Sequence, residues 1–194
     1  MSKTRLEAFT DAIIAIIMTL LVLELAPPQG DSLSSLLNLK FKFLVYLISF
    51  ISLAIYWNNH HHLFQATEKI DGSIMWINTL FILFFSLYPF TTAWVDEHIM
   101  ARVPEIVYGA QVMLTNIAYA FLAKRIIQVN GPQSRVARAL SKGKKQTITL
   151  LLNAAGIALS FVYPPIVLIL FALSMLLWVI PDRRLERILN DDEQ

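Results

Sequence analysis

Three successive histidines, His60-His61-His62, follow Tyr56-Trp57-Asn58-Asn59. Imidazoles in a row are the first groups in this chain that could hold a metal or pass a proton. Neighbours on a helix point about 100° apart, so three in a row cannot converge on one ion, and zinc sites on helices use i, i+4 spacing. The spacing therefore favours a polar cluster hydrogen-bonded to other helices; no metal and no other cofactor is expected. Asp11 is a carboxylate about one turn into an apolar run. It either pairs with a cation or another helix's donors, or sits at headgroup level and favours its helix N-terminus. The sequence leaves both open. Arg5, Phe9 and Ala12 share a helix face from which Asp11 is displaced. Asn78, Gln111, Asn116 and Asn153 are amides inside apolar runs, and such amides more often join helices than bind ligands. There is no nucleophile elbow, Walker loop, HExxH or usefully spaced carboxylate pair, so an enzyme is not expected.

The elements that must position these groups follow from composition. Of 194 residues, 56% are hydrophobic and 15% charged, with a net charge of +2 and no cysteine. A soluble domain carries about 25% charged residues. This chain has too little polar surface to cover itself in water, and it is expected to be all-α, in lipid, without disulfides. A bilayer core of ~30 Å needs roughly 20 apolar residues in a helix. Six candidate spans meet or approach that, at about 7–26, 41–62, 73–94, 104–123, 147–163 and 166–180, within a single domain over 1–194. Pro164-Pro165 turns the last two into a hairpin, because one continuous helix would be ~50 Å long and the prolines would break it. The N-terminus is too charged for a cleavable signal peptide, so the first span itself targets the chain to the cell membrane.

Orientation follows from lysine and arginine in short loops. The segment after the fourth span carries Lys124, Arg125, Arg135, Arg138, Lys142, Lys144 and Lys145, and the C-terminal tail carries Arg183, Arg184 and Arg187. With Lys3 and Arg5 they place both termini in the cytoplasm. Lys40 and Lys42 are the exceptions, and long lysines at a helix start can snorkel to the interface. The basic segment reads as a topology determinant facing anionic lipid; no nucleic-acid-binding motif accompanies it.

Arg5-x-x-x-Phe9-Thr10-Asp11-Ala12 resembles the RxxxFSD signature of the transmembrane-protein-175 family, potassium channels of endolysosomes in animals with shorter bacterial and archaeal relatives. Ile16-Ile17-Met18-Thr19-Leu20-Leu21-Val22-Leu23-Glu24 resembles the family's first pore helix. Trp57 with His60, His61, Leu63 and Phe64 resembles its second helix, and Asn78 with Pro89-Phe90-Thr91 its third. Thr10 replaces the usual serine and keeps the hydroxyl; Ala12 stands where many prokaryotic members have glycine. The resemblance implies a homotetramer with four first helices around a passive potassium pore. It implies a constriction at Ile16, Leu20 and Leu23, and an influence of Thr19 on ion preference. It also implies a polar network of Arg5, Phe9, Thr10, Asp11, His60, His61 and Asn78 that holds the pore helix. From periodicity alone the Ile16–Leu20–Leu23 stripe would be ordinary lipid-facing or core packing, because the whole span is apolar. Two other functions stay open: a proton conductance through Asp11 and the histidines, and a non-conducting scaffold whose basic loop docks a partner.

Overall fold

The computed structural model describes residues 2–140 and 144–179. Every regular element among them is an α-helix. In chain order these are α1 (Lys3–Leu23), α2 (Leu33–Leu37), α3 (Lys40–Gln65), α4 (Gly72–Phe85), α5 (Tyr88–Glu97), α6 (Arg102–Asn130), α7 (Arg135–Leu140), α8 (Lys145–Leu159) and α9 (Ile166–Val179). Lys142, Ile180 and the C-terminal arginines Arg183, Arg184 and Arg187 lie outside the described residues.

Local chemistry explains where several elements begin and end. Ser2 caps α1, its Oγ accepting from the Arg5 N–H at 3.4 Å. The helix therefore starts at Lys3 rather than near Glu7, and it stops at Leu23 rather than Ala26. Ser32 caps the short α2 in the same way, an element the apolar pattern did not suggest. The third apolar run is two helices. Pro89 has no N–H to give the carbonyl one turn back, and the chain breaks at Ser86-Leu87 between α4 and α5. Gln111 on α6 covers part of the break, its Nε2 donating to the Phe84 carbonyl at 2.9 Å. The fourth run is longer than its apolar core. α6 continues through Lys124 and Arg125 to Asn130 and ends at Gly131, whose φ of 93° suits only glycine. Lys124 and Arg125 are thus helical, not part of a loop, and α7 occupies part of the basic segment that follows.

Among the described residues four stretches are long and apolar enough to cross a membrane: Lys3–Leu23, Lys40–Gln65, Gly72–Glu97 and Arg102–Asn130. α8 and α9 are shorter, at 15 and 14 residues. They form the hairpin expected of Pro164-Pro165. Trp178 near the end of α9 donates to Thr149 near the start of α8 at 2.8 Å, which requires the two to run antiparallel. Gly109 lets α6 press against this hairpin. An added Cβ there would lie 2.8 Å from Val167 Cγ1 and 3.0 Å from Ile157 Cγ1. Gly109→Leu is expected to cost about 2 kcal/mol through overpacking, read as a lower midpoint in thermal unfolding in detergent. An unchanged midpoint would mean that the hairpin yields without cost.

The core is a run of aromatic rings from α3 to α6, including Tyr56, Phe81, Phe85, Tyr88 and Tyr108. Buried phenols need partners. Tyr88 finds Ser52 at 2.9 Å and Tyr108 finds Ser49 at 3.0 Å. Lys42, one of the two lysines that ran against the charge bias, pairs with Asp96 at 3.3 Å and Glu97 at 3.2 Å. Its charge is answered locally.

At the opposite end of the bundle Arg125 reaches Asp71 at 2.7 Å. Asp71 also caps α4, accepting from the Ile74 N–H at 2.9 Å and the Ser73 hydroxyl at 2.6 Å. The Ser73 and Ile74 hydrogen bonds, with Arg125 beside them, hold the Asp71 carboxyl down at about 2, against an ordinary 3.8. A carboxylate depressed in the folded state stabilises it above its unfolded pKa and loses that contribution as pH falls through the folded one. The stability difference between the wild type and Asp71→Asn should therefore be full above about pH 4 and gone near pH 2. Unfolding midpoints measured across that window check it; a difference that does not depend on pH would exclude the charged cap.

Candidate functional site

α1 has two unlike faces. Leu6, Thr10, Ile14, Ile17 and Leu21 recur at helical spacing and are buried against α3, α4 and α5. The other face is largely exposed in the subunit. Phe9 is 52% exposed, Ile16 58%, Leu20 46% and Leu23 72%. Ala8, Ala12, Ala15 and Thr19 are exposed beside them. Thr19 turns its hydroxyl back to the Ala15 carbonyl at 2.8 Å, a common use of threonine within helices. Its proton is spent on its own helix, and its oxygen lone pairs remain to face outward.

The buried face is fastened by a chain of three polar side chains from three helices. Thr10 Oγ1 donates to the Leu6 carbonyl at 2.9 Å and accepts from Asn78 Nδ2 at 2.8 Å. Asn78 Oδ1 meets His60 Nε2 at 2.9 Å. All three residues are fully buried. With the amide nitrogen of Asn78 committed to Thr10, its oxygen can only accept, so Nε2 of His60 carries the hydrogen. Two rings hold the imidazole flat: Phe64 at 4.5 Å and Phe81 at 5.8 Å between centroids. Its Nδ1 is buried without a hydrogen-bond partner among the described residues.

On either side of Thr10 two further links from α1 reach α3. Asp11 Oδ1 accepts from Trp57 Nε1 at 3.1 Å, and Glu7 Oε1 meets His61 Nδ1 at 3.0 Å. The Trp57 and His61 rings stack at 6.4 Å. Asp11 thus takes a neighbouring helix's donor, one of the two alternatives open in the sequence. Lys3 Nζ adds a bond to the Thr67 carbonyl at 2.9 Å.

Of the residues assigned to the polar network, the structure joins Thr10, Asn78 and His60 in one chain, and places Asp11 and His61 in separate pairs. It does not bring Arg5 and Phe9 into either. Both lie on the outward face beside Met75 and Thr79, and no hydrogen bond from the Arg5 guanidinium is present among the described residues. Glu7 and Trp57 belong to the links and were not singled out for them. The i, i+4 pairs Glu7–Asp11 and Trp57–His61 put each pair on one helix face, which was the available signal. The three histidines go to three destinations: His60 to Asn78, His61 to Glu7 and His62 to Gln65 at 3.4 Å. Among the described residues no three histidine, cysteine, aspartate or glutamate side chains converge as metal ligands would.

Residues 5–89 match the family model for the endosomal/lysosomal potassium channel TMEM175. A protein from a Chryseobacterium species, named as a potassium channel, is 42% identical over 192 residues, 99% of this chain and the whole of that one. The mouse endosomal/lysosomal proton channel TMEM175 is 27% identical over 92% of this chain, a match that takes in only 37% of the mouse protein. Among solved structures, the crystal structure of a lysosomal potassium-selective channel TMEM175 homolog from Chamaesiphon minutus superposes with a TM-score of 0.79 at 30% identity, covering 91% of this chain and 96% of that one. With one relative matched end to end at such identity and a solved relative of the same fold, the chain is a multi-pass membrane protein and belongs to the TMEM175 family of ion channels.

Proposed function

We propose that the chain is the subunit of a potassium-selective channel, four copies of which surround a pore lined by α1, with Ile16, Leu20 and Leu23 as apolar rings and Thr19 beside them. The observation that carries this is the bare outward face of α1 opposite an anchored one. At 100° per residue the exposed face divides into two stripes about 80° apart. One holds the small residues Ala8, Ala12, Ala15 and Thr19, and the other the large residues Phe9, Ile16, Leu20 and Leu23. A helix that only faced lipid would need no such division. A helix packed in a ring does, because small residues let neighbouring backbones approach while large ones fill the centre. Stacked apolar rings narrow a pore and can empty it of water, which makes ion dehydration the barrier.

Arg5 and Phe9 lie on this same outward face, where a neighbouring subunit would meet them. Six crossings, with the short α8–α9 hairpin supplying the last two, put both termini on the side where lysine and arginine gather. The names of the bacterial relatives support potassium as the permeant ion. Proteoliposomes holding a potassium gradient test the reading, with sodium and caesium compared in the same preparation. Flux that prefers potassium supports it. Well-folded tetramers that carry sodium equally well would overturn it.

Proton conduction is the second reading. The animal relatives are named proton channels, and Glu7–His61 and Asp11–Trp57 bring titratable groups to one end of α1. A flux driven by a pH gradient alone, with an impermeant cation in place of potassium, would favour it.

A further inference from the structure

α3, α6, α8 and α9 border a recess of about 30 Å³. Polar side chains from all four helices line it: Ser52 and Tyr56, Asn116 and Tyr119, Thr149, and Ser174. Several of these groups already have partners. Tyr119 donates its hydroxyl to the Asn59 carbonyl at 3.0 Å, and Ser174 donates its own to the Phe171 carbonyl at 2.7 Å. Thr149 accepts from the Trp178 indole at 2.8 Å. Asn116 is the exception. Its backbone carbonyl takes the Gln146 amide at 3.1 Å. Its side chain is not so served: the residue is 5% exposed, and Nδ2 is buried with no hydrogen-bond partner among the described residues. Asn59, Tyr119, Gln146 and Trp178 line both this recess and a wider cleft of about 460 Å³. Lys124 and Gln128 stand on the cleft's lining, so it reaches the polar end of the bundle where Arg125 meets Asp71.

We propose that the recess is a binding site for ordered water, admitted through the cleft, with one molecule accepting from Asn116 Nδ2. Volume excludes larger occupants, because 30 Å³ has room for about two water molecules whereas an organic ligand needs roughly 300 Å³ or more. Chemistry requires a polar one, because amide hydrogens in a closed apolar setting are costly unless they are bonded. A water that accepts from Asn116 finds acceptors for its own hydrogens in the oxygens of Tyr119 and Ser174, whose protons are already given elsewhere. No carboxylate lines the recess to hold a cation instead. The water joins the α8–α9 hairpin to α6 and α3 through hydrogen bonds that no pair of side chains makes directly. No residue of α1 takes part, so the site stands whether or not α1 lines a pore.

An electron-microscopy map of the full chain in lipid nanodiscs, at a resolution that shows ordered water elsewhere in the protein, tests this without reference to ion flux. A compact peak is expected within about 3.2 Å of Asn116 Nδ2. Asn116→Leu should abolish that peak, since the donor is gone and the recess is partly filled. Ser174→Val removes an acceptor from the opposite wall and leaves α6 untouched; it should abolish the peak too, and it carries the test if Asn116→Leu does not fold. A recess without density, in a map where other waters are resolved, would overturn the proposal. So would a peak that survives the substitutions, or the continuous density of an acyl chain reaching in from the cleft.

Discussion

Ile16→Asn should raise sodium flux relative to potassium flux about tenfold, the change that ~1.4 kcal/mol off a barrier produces. Ile16 stands on the bare face of α1, more than half exposed in the isolated subunit. In a ring of four, the substitution exchanges four hydrocarbon branches for four amides of similar size. Water and ions then find hydrogen-bonding partners at the constriction, and the cost of shedding hydration no longer separates the two cations. Each asparagine is asked for only a few tenths of a kcal/mol, well within what one polar group offers an ion. The control is Ile51→Asn, another exposed isoleucine, on α3, which should leave the ratio alone. The measurement is paired sodium and potassium flux from proteoliposomes of confirmed tetramers. If Ile16→Asn tetramers keep the wild-type ratio, the constriction is elsewhere.

Asn78→Ala should lower stability by about 3 kcal/mol, the largest loss expected from a single polar change here. Interhelical hydrogen bonds in membranes average about 0.6 kcal/mol and reach about 1.7, so losing the bond to Thr10 explains only part of this. The larger part is His60. Its Nε2 hydrogen points at the Asn78 oxygen in a site closed to solvent, and a buried donor left without an acceptor costs about 1–3 kcal/mol. Thr10→Val is the informative comparison. It removes one bond but leaves the Asn78–His60 pair, and should cost about 1 kcal/mol. Thermal unfolding in detergent ranks the two. Equal losses would mean that the His60 end of the chain contributes nothing. Both variants should also loosen α1, since Thr10 ties its buried face to α4.

Much of the architecture was legible in the sequence. The apolar runs are long enough that a backbone in lipid has no alternative to helix, and the double proline has no alternative to a turn. The i, i+4, i+7 spacing of Ile16, Leu20 and Leu23 puts them on one face in any helix. Boundaries were less legible. Pro89 split one run into two helices. The cationic end of α6 stayed helical because Arg125 reaches Asp71, 54 residues away, and a hydrophobicity window does not register such a tie.

What the chain alone could not decide was direction. α1 is apolar nearly all round, so no alternation of polar and apolar residues marks which side is buried, and lipid accepts either. The choice is made by Thr10, which must turn toward Asn78, 68 residues on, because an amide and an imidazole inside hydrocarbon have nowhere else to place their hydrogens. That one requirement sets the rotation of the helix, and with it leaves Ile16, Leu20 and Leu23 facing outward. The sequence determined that the helix exists and that polar groups must be answered; the tertiary structure decided which groups answer each other, because their partners are distant in the chain and meet only when the bundle closes.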